Sequence, residues 1–208
     1  MASWEKSEII LDDGLKVPAQ APVIVSASRS TDIPAFYADW FLHRLKKGYS
    51  AWTNPFNGVK SYVSYANMRF VVFWSKNPRP LIESGILDYL AERNIGCYVQ
   101  YSLNDYEAEG LEKGVKPLDY RIETFRMLVE RLGKGAVVWR FDPLILTDTV
   151  DIDLLLEKIK RIELNGSWDM KEGIETPFEY NLKYHRDSKE NFEQRINWVK
   201  EILENNND

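Results

Sequence analysis

Polar side chains follow five apolar runs in this sequence, and their types suit the binding of an anion. The first run leads into Ser28 and Arg29, the third into Lys76, and the fifth into Arg140. An arginine can bind two oxygens of one phosphate or carboxylate, and a lysine adds a compact positive charge. Hydroxyl, amide and aromatic side chains beside these cations would bind the rest of such a ligand. The predicted ligand-binding residues are Ser28, Arg29, Thr31, Asn54, Trp74, Asn77, Gln100, Ser102, Trp139 and Arg140.

Three residues in the same segments are predicted to take part in a reaction. Lys76 follows a continuously apolar run, and partial burial would make its ammonium group easier to deprotonate, so that it could act as a base or form a Schiff base. Asp32 and Asp142 would orient the cations or move protons. The alternatives are structural: an ion-paired Lys76, aspartates that neutralise the neighbouring arginines, and Asp32 or Thr31 as the cap of the next helix.

Metal and cofactor signatures are weak in this sequence. Asp32 and Asp142 could hold a hard cation, but two carboxylates without a third ligand are a poor indication of one. His43 and His185 have no partner at a metal-binding spacing. The glycine-rich phosphate fingerprints GxGxxG and GxxxxGK[ST] are absent. No metal site is predicted, and no cofactor can be assigned.

The elements that would position these residues alternate between strands and helices. The apolar runs predict strands, because they are short, rich in β-branched and aromatic residues, and bounded by turn residues. Recurrence at helical steps predicts the helices. Strands are predicted at about 23–27, 49–53, 70–74, 97–101 and 136–141, with extended chain at 59–65, an arm or marginal strand before residue 21, and a sixth strand at 178–184. Helices are predicted at about 34–47, 80–93, 119–132, from Asp151 onward, and 189–204.

This alternation predicts a parallel α/β sheet. Five or six strands are too few for a closed eight-stranded barrel, so the expected fold is an incomplete (β/α) TIM-like barrel or an open, mostly parallel sheet with flanking helices. The third strand, Phe70 to Trp74, is continuously apolar and is expected to be covered on both faces. Carboxyl ends of parallel strands share one edge, where ligands usually bind, so the polar residues are expected to line one pocket.

The amino-acid sequence of several segments also resembles that of a known family. The runs SASRSTDIPAFYADWFLHRLKKGY, NPFN, FWSKNPRP and WRFDPLIL resemble, in that order, the bacterial and phage proteins grouped as domain of unknown function 1848. The resemblance covers residues 22–160 and implies no settled activity. It also implies longer relatives that continue into a cysteine-rich segment similar to iron-sulfur-binding sequences. This chain has one cysteine, Cys97, so that chemistry is not carried over.

Composition limits the function classes further. A chain of 208 residues, 44% of them apolar, suits one substantial core, so we expect a single α/β domain over residues 1–208 with a family-like core at 22–160 and a divergent extension at 164–208. A net charge of −5 and a pI near 5.3 disfavour broad binding to nucleic acid. The single cysteine fits a reducing compartment, and no run reaches signal-peptide or membrane-spanning length, so a cytoplasmic protein without a membrane contact is expected.

The leading hypothesis is a pocket for a small anionic ligand, phosphorylated or nucleotide-like, at the carboxyl ends of the strands. Whether this pocket supports a reaction stays open. One alternative is a non-catalytic protein that sequesters a ligand or mediates an interaction. A further alternative is an accessory protein in nucleic-acid processing, which the acidity disfavours. The sequence does not indicate the oligomeric state or the role of residues 164–208.

Overall fold

A computed structural model describes residues 6–133 and 135–166. The predicted strand at 178–184 and helix at 189–204 lie outside these residues. The described chain divides into two compact units, Met1–Tyr101 and Ser102–Asp208, which are treated separately below. The prediction of one domain therefore stays a prediction.

The first unit contains two sets of strands. The first set comprises β1 (Lys6–Ile10), β2 (Lys16–Gln20), β4 (Tyr49–Thr53) and β5 (Lys60–Ser64), in the order β1-β2-β5-β4. The pairs β1-β2 and β4-β5 are antiparallel, and β2 meets β5 in parallel. The second set comprises β3 (Ile24–Ser26), β6 (Phe70–Ser75) and β7 (Gly96–Ser102), with β3-β6 and β6-β7 parallel.

The prediction of a mixed α/β fold is confirmed, and its finer form needs correction. The described residues form eight strands in two sheets rather than five or six in one, and no closed barrel is present among them. The predicted second strand, β4, belongs to the other sheet and pairs antiparallel with β5. The segment 59–65 contains β5, the second strand of this hairpin; its alternation predicted strand or extended chain, but not this pairing. Residues 6–20 contain two strands, which agrees with the strand alternative predicted for this segment and not with the arm.

The helices of the first unit are shorter than predicted. They are α1 (Ile33–Phe36), α2 (Ala38–Lys47), α3 (Arg79–Glu83) and α4 (Ile86–Ala91). The predicted helix 34–47 is interrupted at Tyr37, and the predicted helix 80–93 at Ser84 and Gly85. Gly48 ends α2 in the left-handed conformation, with φ of 82°, and its N–H reaches the carbonyls of Arg44 and Leu45.

The core of the first unit lies against one face of β6 and β7. Val71, Phe73 and Val99 are 0% exposed, and Phe41 of α2 packs edge-on against Phe73, with ring centroids 5.9 Å apart. The opposite face carries Trp74, which is 46% exposed. The expectation that this strand is covered on both faces is therefore wrong at its carboxyl end.

The second unit contains α5 (Leu118–Leu132), β8 (Val137–Arg140) and α6 (Ile152–Gly166). Asp151 caps α6 as predicted, because its carboxylate accepts a hydrogen bond of 2.8 Å from the Leu154 N–H. A small apolar cluster joins Tyr106, Val150 and Leu155. In the described ranges 6–133 and 135–166, no helix combines the length and apolar character needed to cross a bilayer.

Candidate functional site

Two loops that follow neighbouring parallel strands are joined by hydrogen bonds in the first unit. Ser26 of β3 lies beside Val72 of β6, and one residue later the Ala27 N–H donates to the Val72 carbonyl at 2.9 Å. The Trp74 N–H then donates to Ser28 Oγ at 3.0 Å. The loop after β3 therefore runs along the end of β6, which brings the Ser28 segment beside the Lys76 segment.

Asp32 is the second connection between these loops. Its Oδ1 accepts a hydrogen bond of 3.0 Å from the Ala35 N–H, so the predicted capping role is confirmed. Its Oδ2 accepts from Ser75 Oγ at 3.0 Å and from the Lys76 N–H at 3.4 Å. Ser75 Oγ also accepts from the Asn77 N–H at 2.9 Å. One carboxylate thus orders both the turn before α1 and the backbone that presents Lys76.

Trp74 and Gln100 are direct neighbours on the same face of the sheet. They are register partners in the parallel pair β6-β7, and side chains of such partners point to the same side. Gln100 is half-buried, whereas Trp74 keeps nearly half of its surface exposed. An indole at this edge offers a flat apolar surface next to the polar loop residues.

The side chains at the loop ends differ in exposure. Arg29 and Thr31 are exposed, and Lys76 and Asn77 are half-buried. Asn77 Oδ1 is enclosed but accepts no hydrogen bond from any residue in the described ranges. A buried acceptor without a donor costs stability, so a hydrogen-bond donor at this point would be stabilising.

Asn54 does not belong with these residues. It follows β4, outside the parallel strands, and its Oδ1 accepts from the Phe56 N–H at 2.9 Å. Its N–H donates to the Val59 carbonyl, and its own carbonyl accepts from the Gly58 N–H, both at 2.9 Å. Asn54 therefore closes the β4-β5 hairpin, and the prediction that it ends a strand of the same parallel sheet is wrong.

The remaining predicted residues lie in the second unit. Arg140 pairs with Asp142 at 2.9 Å, as the structural alternative for these two residues predicted. No ion pair joins Arg29 to Asp32 in the described part of the first unit, so the same alternative fails there. The Trp139 indole N–H donates to the Leu103 carbonyl at 2.7 Å. Ser102, at the end of β7, is 4% exposed. A single pocket for the predicted residues other than Asn54 stays a prediction.

A buried ion network orders the loop between β7 and α5. The Arg121 side chain is 1% exposed and donates to the Asn104 carbonyl at 2.7 Å and to Glu107 Oε1 at 3.1 Å. Glu112 Oε2 lies 3.7 Å from the same guanidinium. The Asn104 side chain in turn donates to Glu112 Oε1 at 3.0 Å.

Asn104 also holds the residues after β8 in place by hydrogen bonds. Its Nδ2 donates to the Asp142 carbonyl at 3.0 Å, and its Oδ1 accepts from the Asp142 N–H at 2.8 Å. Two bonds from α6 hold the same loop, since Lys158 contacts Glu109 at 2.8 Å and Arg161 contacts Asp105. The network therefore fixes the backbone that carries the Arg140–Asp142 pair.

Sequence reasoning missed Arg121, although one signal could have found it. Leu118, Arg121, Ile122 and Phe125 recur at steps of three and four residues along α5, so Arg121 occupies an apolar position of the helix. A cation in such a position needs acidic partners. The acidic loop directly before the helix supplies them.

Burial shifts the pKa of several titratable groups in the described chain, and Cys97 and Tyr106 are two of them. Burial raises the pKa of the Cys97 thiol to about 11. Burial also raises the pKa of the Tyr106 hydroxyl, and the carboxylates of Glu112 and Glu109 raise it further. Cys97 lies in β7 as an apolar filler and its thiol stays protonated near neutral pH. No group of three potential metal ligands occurs within residues 6–133 and 135–166.

Comparison with known proteins identifies a family and no characterised relative. A family model described as a domain of unknown function (DUF1848) matches residues 24–201. The match extends beyond residue 160, where the sequence resemblance described above ends. No curated protein matches the chain. No solved structure matches it either.

Proposed function

The chain belongs to the DUF1848 family, and from that premise we propose that its first unit binds a small anionic ligand, phosphorylated or nucleotide-like, at the carboxyl ends of β3 and β6. Arg29 and Lys76 bind the anion in this proposal. Trp74 packs against the remainder of the ligand, with Gln100 beside it.

The observation that carries the proposal is the pair of connections between the two loops. Ser28 Oγ accepts from the Trp74 N–H, and Asp32 accepts from Ser75 and from the Lys76 N–H. These bonds connect groups of the protein itself, and they order the backbone beside both cations. Ordering before binding lowers the entropic cost of association.

The hydrogen-bonding groups at the loop ends support an oxygen-rich ligand. The Ser28 oxygen accepts from Trp74, which leaves its hydroxyl hydrogen to donate. Thr31 offers a second exposed hydroxyl. Asn77 follows Lys76 in the loop after β6 and is half-buried, and the exposed indole of Trp74 adds an apolar surface for a sugar or base. This combination favours a sugar phosphate or nucleotide over inorganic phosphate alone.

A non-catalytic form of the same function is favoured by the surroundings of Asp32. Its two carboxylate oxygens accept three hydrogen bonds, from Ala35, Ser75 and Lys76. A carboxylate held in this way is suited to positioning the two loops that it joins. A sequestering protein would use Arg29 and Lys76 for binding and leave the ligand unchanged.

The test is ligand-induced thermal stabilisation of the full chain with inorganic phosphate, ribose 5-phosphate and AMP. We expect ribose 5-phosphate or AMP to raise the melting temperature, and Arg29→Ala and Lys76→Ala each to weaken binding by about tenfold or more. Arg69→Ala is the matched control, because Arg69 is an exposed cation at the opposite end of β6. Unchanged melting across all three probes would remove the proposal.

The same preparation separates binding from catalysis. Prolonged incubation with the probe that binds, followed by mass analysis of the released ligand, should return it unaltered if the protein only sequesters it. A product that disappears in Lys76→Ala would instead assign the reaction to this lysine. The Asp32→Asn variant then shows whether the carboxylate acts in binding or in the chemical step.

A further inference from the structure

A cleft lies in the first unit, away from the carboxyl ends of β3 and β6. It has a volume of about 480 Å³ and opens between the β1-β2 turn, α2 and one face of the β4-β5 hairpin. This volume lies in the range of small-molecule sites. Its walls include Trp40, Arg44 and Tyr62.

The cleft exists because α2 covers only part of the hairpin. Tyr49, Ala51 and Thr53 share a face of β4, and Ala51 lies opposite Tyr62 on β5. At the covered end, Arg44 of α2 donates from Nε to the Tyr49 carbonyl at 2.9 Å and lies 4.5 Å above the Tyr49 ring. Ala51 lies beyond this cover and is exposed. Its small side chain leaves an open floor.

The walls around this floor are aromatic and basic. Trp40 of α2 is 45% exposed at the rim. Lys60 lies two residues from Tyr62 on β5, and its Nζ is 5.4 Å from the centre of the Tyr62 ring. Arg44 uses Nε for the Tyr49 carbonyl, and its terminal nitrogens remain as donors. A planar ring could therefore lie on aromatic surface while an acidic group meets two cations.

The charge balance of the lining favours a single negative charge on the ligand. Asp12 is neutralised by Lys47, which contacts it at 3.0 Å. Asp13 also lines the cleft, together with the two cations Arg44 and Lys60, and one of its oxygens accepts from the Leu15 N–H at 3.0 Å. Together, Asp13, Arg44 and Lys60 carry a net charge of +1. A dianionic phosphate would exceed it and would be opposed by Asp13.

We propose that this cleft binds a small planar aromatic acid, with its ring between Trp40 and Tyr62 above Ala51 and its carboxylate on Arg44 and Lys60. This site is separate from the strand-end site and does not depend on the proposed function. Its recognition combines ring stacking with charge-assisted hydrogen bonds.

The test uses indole-3-acetate as the probe, with tryptamine and acetate as its cationic and non-aromatic counterparts, in titrations of the full chain followed by NMR. Indole-3-acetate should bind, whereas tryptamine and acetate should not. Trp40→Ala and Lys60→Ala should each weaken binding by about fivefold or more. Ala51→Leu fills the floor without removing a contact and should abolish binding in a folded protein.

Trp52→Ala is the matched control. Trp52 is 44% exposed, nearly the same as Trp40, and follows Ala51 on the opposite face of β4. The proposal is overturned if Trp52→Ala weakens binding as much as Trp40→Ala, if Ala51→Leu leaves binding intact, or if tryptamine binds as well as indole-3-acetate. Loss of binding in Arg29→Ala would also overturn it, because the probe would then occupy the strand-end site.

Discussion

Arg121 shows how one enclosed charge can organise a long loop. Its guanidinium contacts the Asn104 carbonyl, Glu107 and Glu112, which span nine residues of the acidic segment before α5. Removing an arginine from water is costly, and only several well-placed acceptors can offset that cost. The contacts of this side chain therefore hold together a segment that has no regular structure of its own.

We predict that Arg121→Met lowers the free energy of unfolding by about 3–5 kcal/mol, because it leaves Glu112 enclosed without its counter-ion. Lys16→Met is the control for a surface ion pair. The Lys16 side chain is 67% exposed and lies 3.4 Å from Glu8, so its loss should cost about 0–1 kcal/mol. Urea denaturation of both variants measures the difference. Equal losses would show that the network adds nothing beyond an ordinary surface pair.

Residue roles set by near neighbours could be predicted from the sequence. The caps Asp32 and Asp151 are examples, because their hydrogen bonds span only three residues. The bond from Ser75 to Asp32 spans 43 residues, and nothing local to either residue indicates it. Predicting the Arg121 contacts requires two observations. One is that a cation occupies an apolar position of the helix, and the other is that the preceding loop folds back onto it. The sequence thus indicates roles that depend on local partners, and not roles that depend on partners distant along the chain.

At the level of elements, strand positions were predicted well, and so was the parallel pairing of β3, β6 and β7, but the antiparallel pairing of β4 with β5 was not. Alternation and apolar runs fix which segments extend, and β3 to β8 fall within a few residues of their predicted places. The period of a strand carries no information about which neighbour it pairs with. The Asn54–Gly58 turn made an antiparallel hairpin available, and β5 thereby joined β4 to a sheet separate from β6.

We predict that Gly96→Ala destabilises the pairing of β6 with β7. A Cβ at this position would lie 2.6 Å from Cδ2 and 2.8 Å from Cε2 of Phe70, its partner in the register. The ring must move, and such overpacking typically costs about 1–3 kcal/mol. Chemical denaturation measures this change. The alanine should cost clearly less in a Phe70→Leu background, and strictly additive losses would contradict the steric explanation.

At the scale of the whole molecule, charge is distributed unevenly along the chain. Residues 1–101 contain 11 lysines and arginines and 9 acidic residues, a net charge of +2. Residues 102–208 contain 16 and 23, a net charge of −7. The proposed anion site lies in the positive half. A small anion meets mainly the local cations, because salt screens charges beyond about 10 Å.

A nucleic acid would extend beyond these local cations and meet the negative charge of the rest of the chain. We therefore predict that nucleic acid does not bind. Binding along a phosphate backbone depends on several clustered cations that release counter-ions, and a net charge of −5 opposes it. In gel-shift titrations at about 150 mM monovalent salt, a 30-nucleotide single strand and a 20-base-pair duplex should stay unbound at micromolar protein. The same preparation should still respond to the sugar-phosphate or nucleotide probe, which excludes an inactive sample. A complex whose association constant falls steeply with added salt would contradict this prediction and restore the nucleic-acid alternative, because that dependence measures the number of phosphates contacted.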